Sequence, residues 1–97
     1  MAVGDQVTAW ASKATTATTD VQPGSGVEWL ITTLLSQSGK SMEVYMTSDG
    51  STFTLVDTLT GGSVTGLQHR LTNAVWMRLK NIDGGTAYNG YSGVVTK

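Results

Sequence analysis

The feature that most narrows what this chain can fold into is a strict two-residue alternation at two places. Met42, Val44 and Met46 interleave with Glu43, Tyr45 and Thr47; Val75, Met77 and Leu79 interleave with Trp76, Arg78 and Lys80. Side chains point to opposite faces of a strand in turn, so each stretch has one apolar face and one wet face. Parallel strands are covered on both faces and read as continuous apolar runs, so this patterning belongs to antiparallel sheets packed on one side. The expected fold class is all-β: a single antiparallel β-sandwich or jelly-roll-like domain with an extended N-terminal arm.

Composition agrees. Sixteen threonines favour strands through their branched β-carbon, and twelve glycines supply turns. At 97 residues the chain holds one domain. With no cysteine, neither disulfides nor thiolate metal sites reinforce its thin core, so self-association is expected to contribute stability. The six Lys and Arg and seven Asp and Glu are spread singly. Phosphate neutralisation needs a concentrated basic patch, so no nucleic-acid partner is expected. The start, Met-Ala-Val-Gly-Asp-Gln, has no basic flank or apolar run, and no stretch approaches the ~20 apolar residues of a bilayer span. Synthesis and folding in a cytoplasm, without a membrane partner, are expected.

Residues 1–26 differ in texture from the remainder. Threonines at 8, 15, 16, 18 and 19 mix with alanines, and Trp10 is the one large side chain. The Thr-Thr-Ala-Thr-Thr run disfavours helix, so this part reads as an extended arm or edge strand, set off by Pro23, Gly24, Ser25 and Gly26 from a body over 27–97. Within the body, Val27 to Leu35 is a central strand, with Val27, Trp29 and Ile31 on one face and Leu30 and Leu34 on the other. Asp49-Gly50 signals a hairpin between strands 41–48 and 52–59. Gly61-Gly62 turns into a strand over Val64 to Leu71. Asp83-Gly84-Gly85 closes a last hairpin between strand 75–81 and Thr86 to Thr96. Seven or eight strands are expected, at the spacing of a sandwich or jelly roll.

Catalytic chemistry is sparse. His69, the only histidine, lies between Leu67 and Leu71 in a predicted strand and reads as structural. One His and no Cys cannot build the usual zinc shell. Gly39-Lys40-Ser41 matches the end of a phosphate loop, but Leu34 stands where that loop needs glycine and a strand follows instead of a helix. Gly61-Gly62-Ser63-Val64-Thr65 misses a nucleophile elbow at its last residue. Asp49 and Asp83 each precede glycine, which turn formation explains, and nothing in the spacing gathers them with Asp57 into a calcium site. Neither catalytic residues nor a cofactor nor a metal is assigned, and the chain reads as a non-enzyme.

The aromatics carry more information. Trp29 belongs to the core, whereas Trp76 shares its face with Arg78 and Lys80, and Tyr88 and Tyr91 lie in a glycine-rich tail. Aromatics and arginine on an outward face are what protein interfaces enrich. The same set suits stacking on sugar rings, and a third reading has Trp76 covered by the N-terminal arm.

Val27-Glu28-Trp29-Leu30-Ile31, Met42 to Thr47 with Ser48-Asp49-Gly50, Val75-Trp76-Met77-Arg78-Leu79-Lys80-Asn81 and Tyr91-Ser92-Gly93 together resemble small β-sandwich virion proteins of tailed bacteriophages, in particular capsid decoration or cement proteins. The resemblance covers about residues 27–97 and is one of strands and turns. Ser48 to Phe53 also resembles a turn of discoidin-like carbohydrate-binding modules, without the remainder of their pattern. The first resemblance implies a homotrimer on the capsid surface of a virion, clamping several copies of the major capsid protein through many weak contacts acting together. The candidate contacts are Val7 and Trp10 in the arm and Trp76, Arg78, Tyr88 and Tyr91 in the body. Deleting residues 2–20 is then expected to leave a folded body that no longer binds. The competing expectation is a carbohydrate-binding or host-adhesion module of a phage tail, using Trp76, Tyr88 or Tyr91.

Overall fold

The computed structural model describes residues 2–97. Its eight strands are β1 (Gln6–Lys13), β2 (Thr18–Val21), β3 (Trp29–Ser36), β4 (Ser41–Thr47), β5 (Thr54–Thr60), β6 (His69–Leu71), β7 (Trp76–Asn81) and β8 (Ala87–Val95). They form two four-stranded sheets in the orders β1-β8-β3-β6 (sheet A) and β2-β7-β4-β5 (sheet B). The pairs are nested: β1 with β8, β2 with β7, β3 with β6 and β4 with β5, all antiparallel. One long hairpin with its tip at residues 48–53 has therefore been wound over itself, and contacts of β3 with β8 and β4 with β7 close each sheet. This is the jelly-roll form of the β-sandwich.

The core is what the alternation selects. Met42, Val44, Met77 and Leu79 from sheet B meet Val7, Trp29, Ile31, Leu34, Leu71, Tyr91 and Val95 from sheet A. Trp29 and Tyr91 stack within it, ring centroids 6.1 Å apart.

Several expectations change. Of the segment read as an arm, residues 2–26 do not stand apart: β1 is an edge strand of sheet A and β2 an edge strand of sheet B, so the edge-strand alternative is the one adopted, and residue 1 lies outside the described residues. Val21 and Pro23 are fully buried, and Val7 is in the core. Deleting residues 2–20 would strip an edge from each sheet, so that truncation tests folding as much as binding. In β3 the register shifts between Ile31 and Thr33, a bulge that moves Leu34 onto the same inner face as Trp29 and Ile31 and leaves Leu30 on the outer one. The strand expected over 64–71 is shortened to His69–Leu71, with only an isolated bridge from Val64 to Leu34 before it.

The Asp83-Gly84-Gly85 turn does not close a hairpin, because β7 and β8 lie in different sheets. A buried asparagine organises that corner. Asn81 donates its side-chain amide to the carbonyls of Lys13 (2.9 Å) and Gly85 (3.0 Å), and its Oδ1 accepts from the Asp83 N–H at 2.9 Å. Two of the chain segments that cross between the sheets at this end, the β1–β2 and β7–β8 connections, are thus tied to one side chain. β8 runs between β1 and β3 so tightly that two of its residues must be glycine. A Cβ on Gly90 would lie 2.1 Å from the Ala9 carbonyl oxygen, and one on Gly93 2.1 Å from that of Leu30.

Candidate functional site

With the core filled, function is left to the two outer faces. On β1, β8 and β3 of sheet A the outward positions are Gln6, Thr8, Trp10, Ser12, Tyr88, Ser92, Val94, Leu30, Thr33 and Leu35. None of these carries a charge; Arg70 of the short edge strand β6, opposite Leu30, brings one to the far side of the face. Trp10 and Tyr88 stack here nearly parallel, centroids 5.5 Å apart and planes inclined by 8°. The register explains the contact: Trp10 lies opposite Gly90 and Ser12 opposite Tyr88, so the rings are diagonal neighbours and the glycine leaves the space between them open. Even stacked, they remain 45% and 43% exposed. Thr8 and Ser92 continue the face with hydroxyls 3.1 Å apart.

Sheet B is built differently. Its register sets two cross-strand rows on the outside: Asp20, Arg78, Tyr45 and Leu55 in one, Thr18, Lys80, Glu43 and Thr58 in the other. Arg78 donates Nε to Asp20 Oδ1 at 2.6 Å and Nη2 to Oδ2 at 3.2 Å. This bidentate hydrogen bonding, the larger cause, and the aspartate's charge raise the guanidinium pKa further. Its carbon lies 4.1 Å from the Phe53 ring centroid and 5.6 Å from that of Trp76. Tyr45 donates its hydroxyl to Glu43 Oε1 at 2.6 Å; that bond first, then desolvation and the carboxylate's charge, push the phenol above its usual range. A shallow groove of about 310 Å³ runs between Thr16, Thr18, Tyr45, Phe53, Arg78 and Lys80.

Trp76, outward by alternation, is only 6% exposed. Its cover is the β4–β5 turn: Phe53 packs edge-on at 5.5 Å, and Gly50 lies above the indole. The turn is locked by Thr47 Oγ1, which accepts from the Gly50 N–H at 2.9 Å, and by Asp49 Oδ1, which accepts from Ser51 and Thr52 at 2.8 Å each. Gly50 takes φ +76°, the left-handed region that glycine tolerates.

The six candidate contacts thus divide. Val7 and Tyr91 belong to the core, where burial raises the Tyr91 pKa, and Trp76 is enclosed. The cover that one of the three readings of the sequence gave to the N-terminal segment is supplied instead by the hairpin turn. Trp10 and Tyr88, from opposite ends of the chain, are brought together, and Arg78 lines the groove on the far face. Sequence reasoning missed Phe53 and Tyr45, whose only signal was an aromatic on either side of the Asp49-Gly50 turn. His69 is half-buried in β6. The acidic residues stay dispersed: Asp49 caps a turn, Asp83 pairs with Lys40 at 3.4 Å and Asp57 lies on β5. Among the described residues no three His, Cys, Asp or Glu gather as metal ligands.

No family model matches this chain, and no curated protein matches it in sequence. Among solved structures it is similar to the Drosophila NLP core, a protein described in terms of pentamer formation and histone binding. The match has a TM-score of 0.50 at 14% identity and covers 92% of this chain and 99% of that one. At that identity the likeness is one of fold, and it agrees with the two-sheet sandwich found here.

Proposed function

We propose that this chain is a non-enzymatic virion structural protein that binds the outer surface of a tailed-phage capsid and stabilises the shell. The observation that supports this reading is the outer face of sheet A: three strands without an outward charge, with Trp10 and Tyr88 stacked and half-exposed on its β1–β8 side. Depletion of charge around exposed aromatics is how the centre of a protein interface differs from other surface. A ring pair already stacked loses little side-chain freedom on docking. The partner is the major capsid protein, and Trp10 and Tyr88 replace the wider contact set that the sequence suggested.

Self-association belongs to the same proposal. A closed homo-oligomer presents several copies of this face at once, and a homotrimer is the assembly that the resemblance to cement proteins implies. The fold is also one in which the NLP core is described as a pentamer. Native mass spectrometry of the purified chain reads the stoichiometry.

The test of function is density-gradient fractionation of particles from the producing infection, following this chain beside the major shell protein. Co-sedimentation with filled heads at near-shell copy number is expected, and a Trp10→Ala, Tyr88→Ala double variant should leave the head fraction while staying folded. A few copies per particle would point to the tail instead. Absence from particles would overturn the proposal.

A further inference from the structure

The groove on the outer face of sheet B lies on the opposite side of the sandwich from Trp10 and Tyr88, and the docking surface just described leaves it unused. Its volume, about 310 Å³, is at the lower end of clefts that hold small ligands, roughly 300–1,000 Å³. Its polar groups are held in place before any ligand arrives. Tyr45 is anchored through its hydroxyl to Glu43, and Arg78 is clamped between Asp20 and the Phe53 ring. The guanidinium has five N–H donors, and the Asp20 pair uses only Nε and Nη2, so Nη1 remains available. Lys80 lies opposite Glu43 in the register but makes no ion pair among the described residues. Thr16 and Thr18 are exposed at the rim.

The charges around this groove cancel: Arg78 and Lys80 face Asp20 and Glu43. A balanced site gives an ion no net attraction, yet it offers both donors and acceptors to a ligand whose rim is all hydroxyl groups. The walls complement that rim, because Tyr45 and Phe53 supply apolar ring surface of the kind that packs on the C–H face of a sugar. We propose that this groove binds a neutral pyranose, its apolar face against Tyr45 with Phe53 as the side wall, and its hydroxyls shared among Arg78, Lys80, Glu43 and the threonine rim. The site is distinct from the Trp76, Tyr88 and Tyr91 set that the sequence offered for sugar stacking; two of those three side chains are enclosed.

The full-length chain, labelled with ¹⁵N, is titrated separately with the methyl glycosides of glucose, mannose, galactose and N-acetylglucosamine, and with glucuronate and inorganic sulfate as anionic probes. Saturable amide and Arg78 Nε shifts confined to Tyr45, Phe53, Arg78, Lys80 and their neighbours are expected from at least one neutral glycoside. Tyr45→Ala should weaken that binding by about tenfold or more, while Tyr45→Phe, which keeps the ring, should retain most of it. If Tyr45→Ala fails to fold, Lys80→Met supplies the same loss from a half-exposed position outside the core. Response to glucuronate or sulfate alone, shifts centred on Trp10 and Tyr88, or no saturable shift at millimolar glycoside would each overturn the proposal. None of these outcomes bears on gradient sedimentation, so the two proposals stand or fall separately.

Discussion

Each outer face of the sandwich carries a tryptophan paired with a second ring at the same 5.5 Å, and the two pairs have opposite fates. Trp10 and Tyr88 lie bare among uncharged neighbours on β1, β8 and β3, 45% and 43% exposed. Trp76 is covered edge-on by Phe53, the last residue of a six-residue turn, beside a charged groove, and is 6% exposed. The side chains are of one kind and the underlying strands equally regular; the difference lies in which loop folds back. An aromatic on the wet face of a strand is thus a contact residue or a part of the structure according to a neighbour that the strand does not encode.

The comparison breaks most severely if sheet A itself cannot form. Gly93→Ala places a methyl group against the Leu30 carbonyl, where only backbone can yield, and should abolish folding; the expected result is loss of the cooperative unfolding transition by circular dichroism. Trp76→Ala comes next. It empties the space beneath the turn and should destabilise by about 3 kcal/mol, the lower end for a buried tryptophan, read from denaturant midpoints. Trp10→Ala on the other face should cost about 1 kcal/mol or less, since only the stacking with Tyr88 and partial burial are lost. A loss equal to that of Trp76 would show that the two faces are structurally alike after all.

The smallest effect concerns the turn over Trp76. The Asp49 carboxylate is held below its ordinary value of 3.8, first by the Thr52 N–H and then by that of Ser51. Its folded-state pKa lies below the unfolded one, so the stabilisation is present above 3.8 and is lost as the pH falls through the folded value. Thermal midpoints of the parent should therefore fall more steeply below that pH than those of Asp49→Ala. Parallel acid limbs would assign the turn's order to Thr47 alone.

Much of the fold was legible because its signals are local. The alternation at 42–47 and 75–80 names Met42, Val44, Met77 and Leu79 as inner residues directly, although Val75, in the same phase, precedes β7 and is 39% exposed, and Asp49-Gly50 marks the tip of the one hairpin about which the whole chain is wound. Errors fell where the pattern was interrupted. The bulge at Thr32 moved Leu34 to the face opposite Leu30, and an inter-sheet corner at Asp83-Gly84-Gly85 has the same turn chemistry as a hairpin. Of the candidate site, the residue types were legible but not their company, since Trp10 meets Tyr88 across almost the full length of the chain.

The sequence by itself determined the all-β class, a count of seven or eight strands and most of the core, because the period of a strand and the demands of a turn are written within a few residues. Only the tertiary structure decided that residues 6–21 edge the two sheets, that the order is that of a jelly roll, and which tryptophan is covered. Strand partners and loop cover depend on contacts between segments far apart in the chain, and any strand with the right alternation satisfies the local pattern equally well.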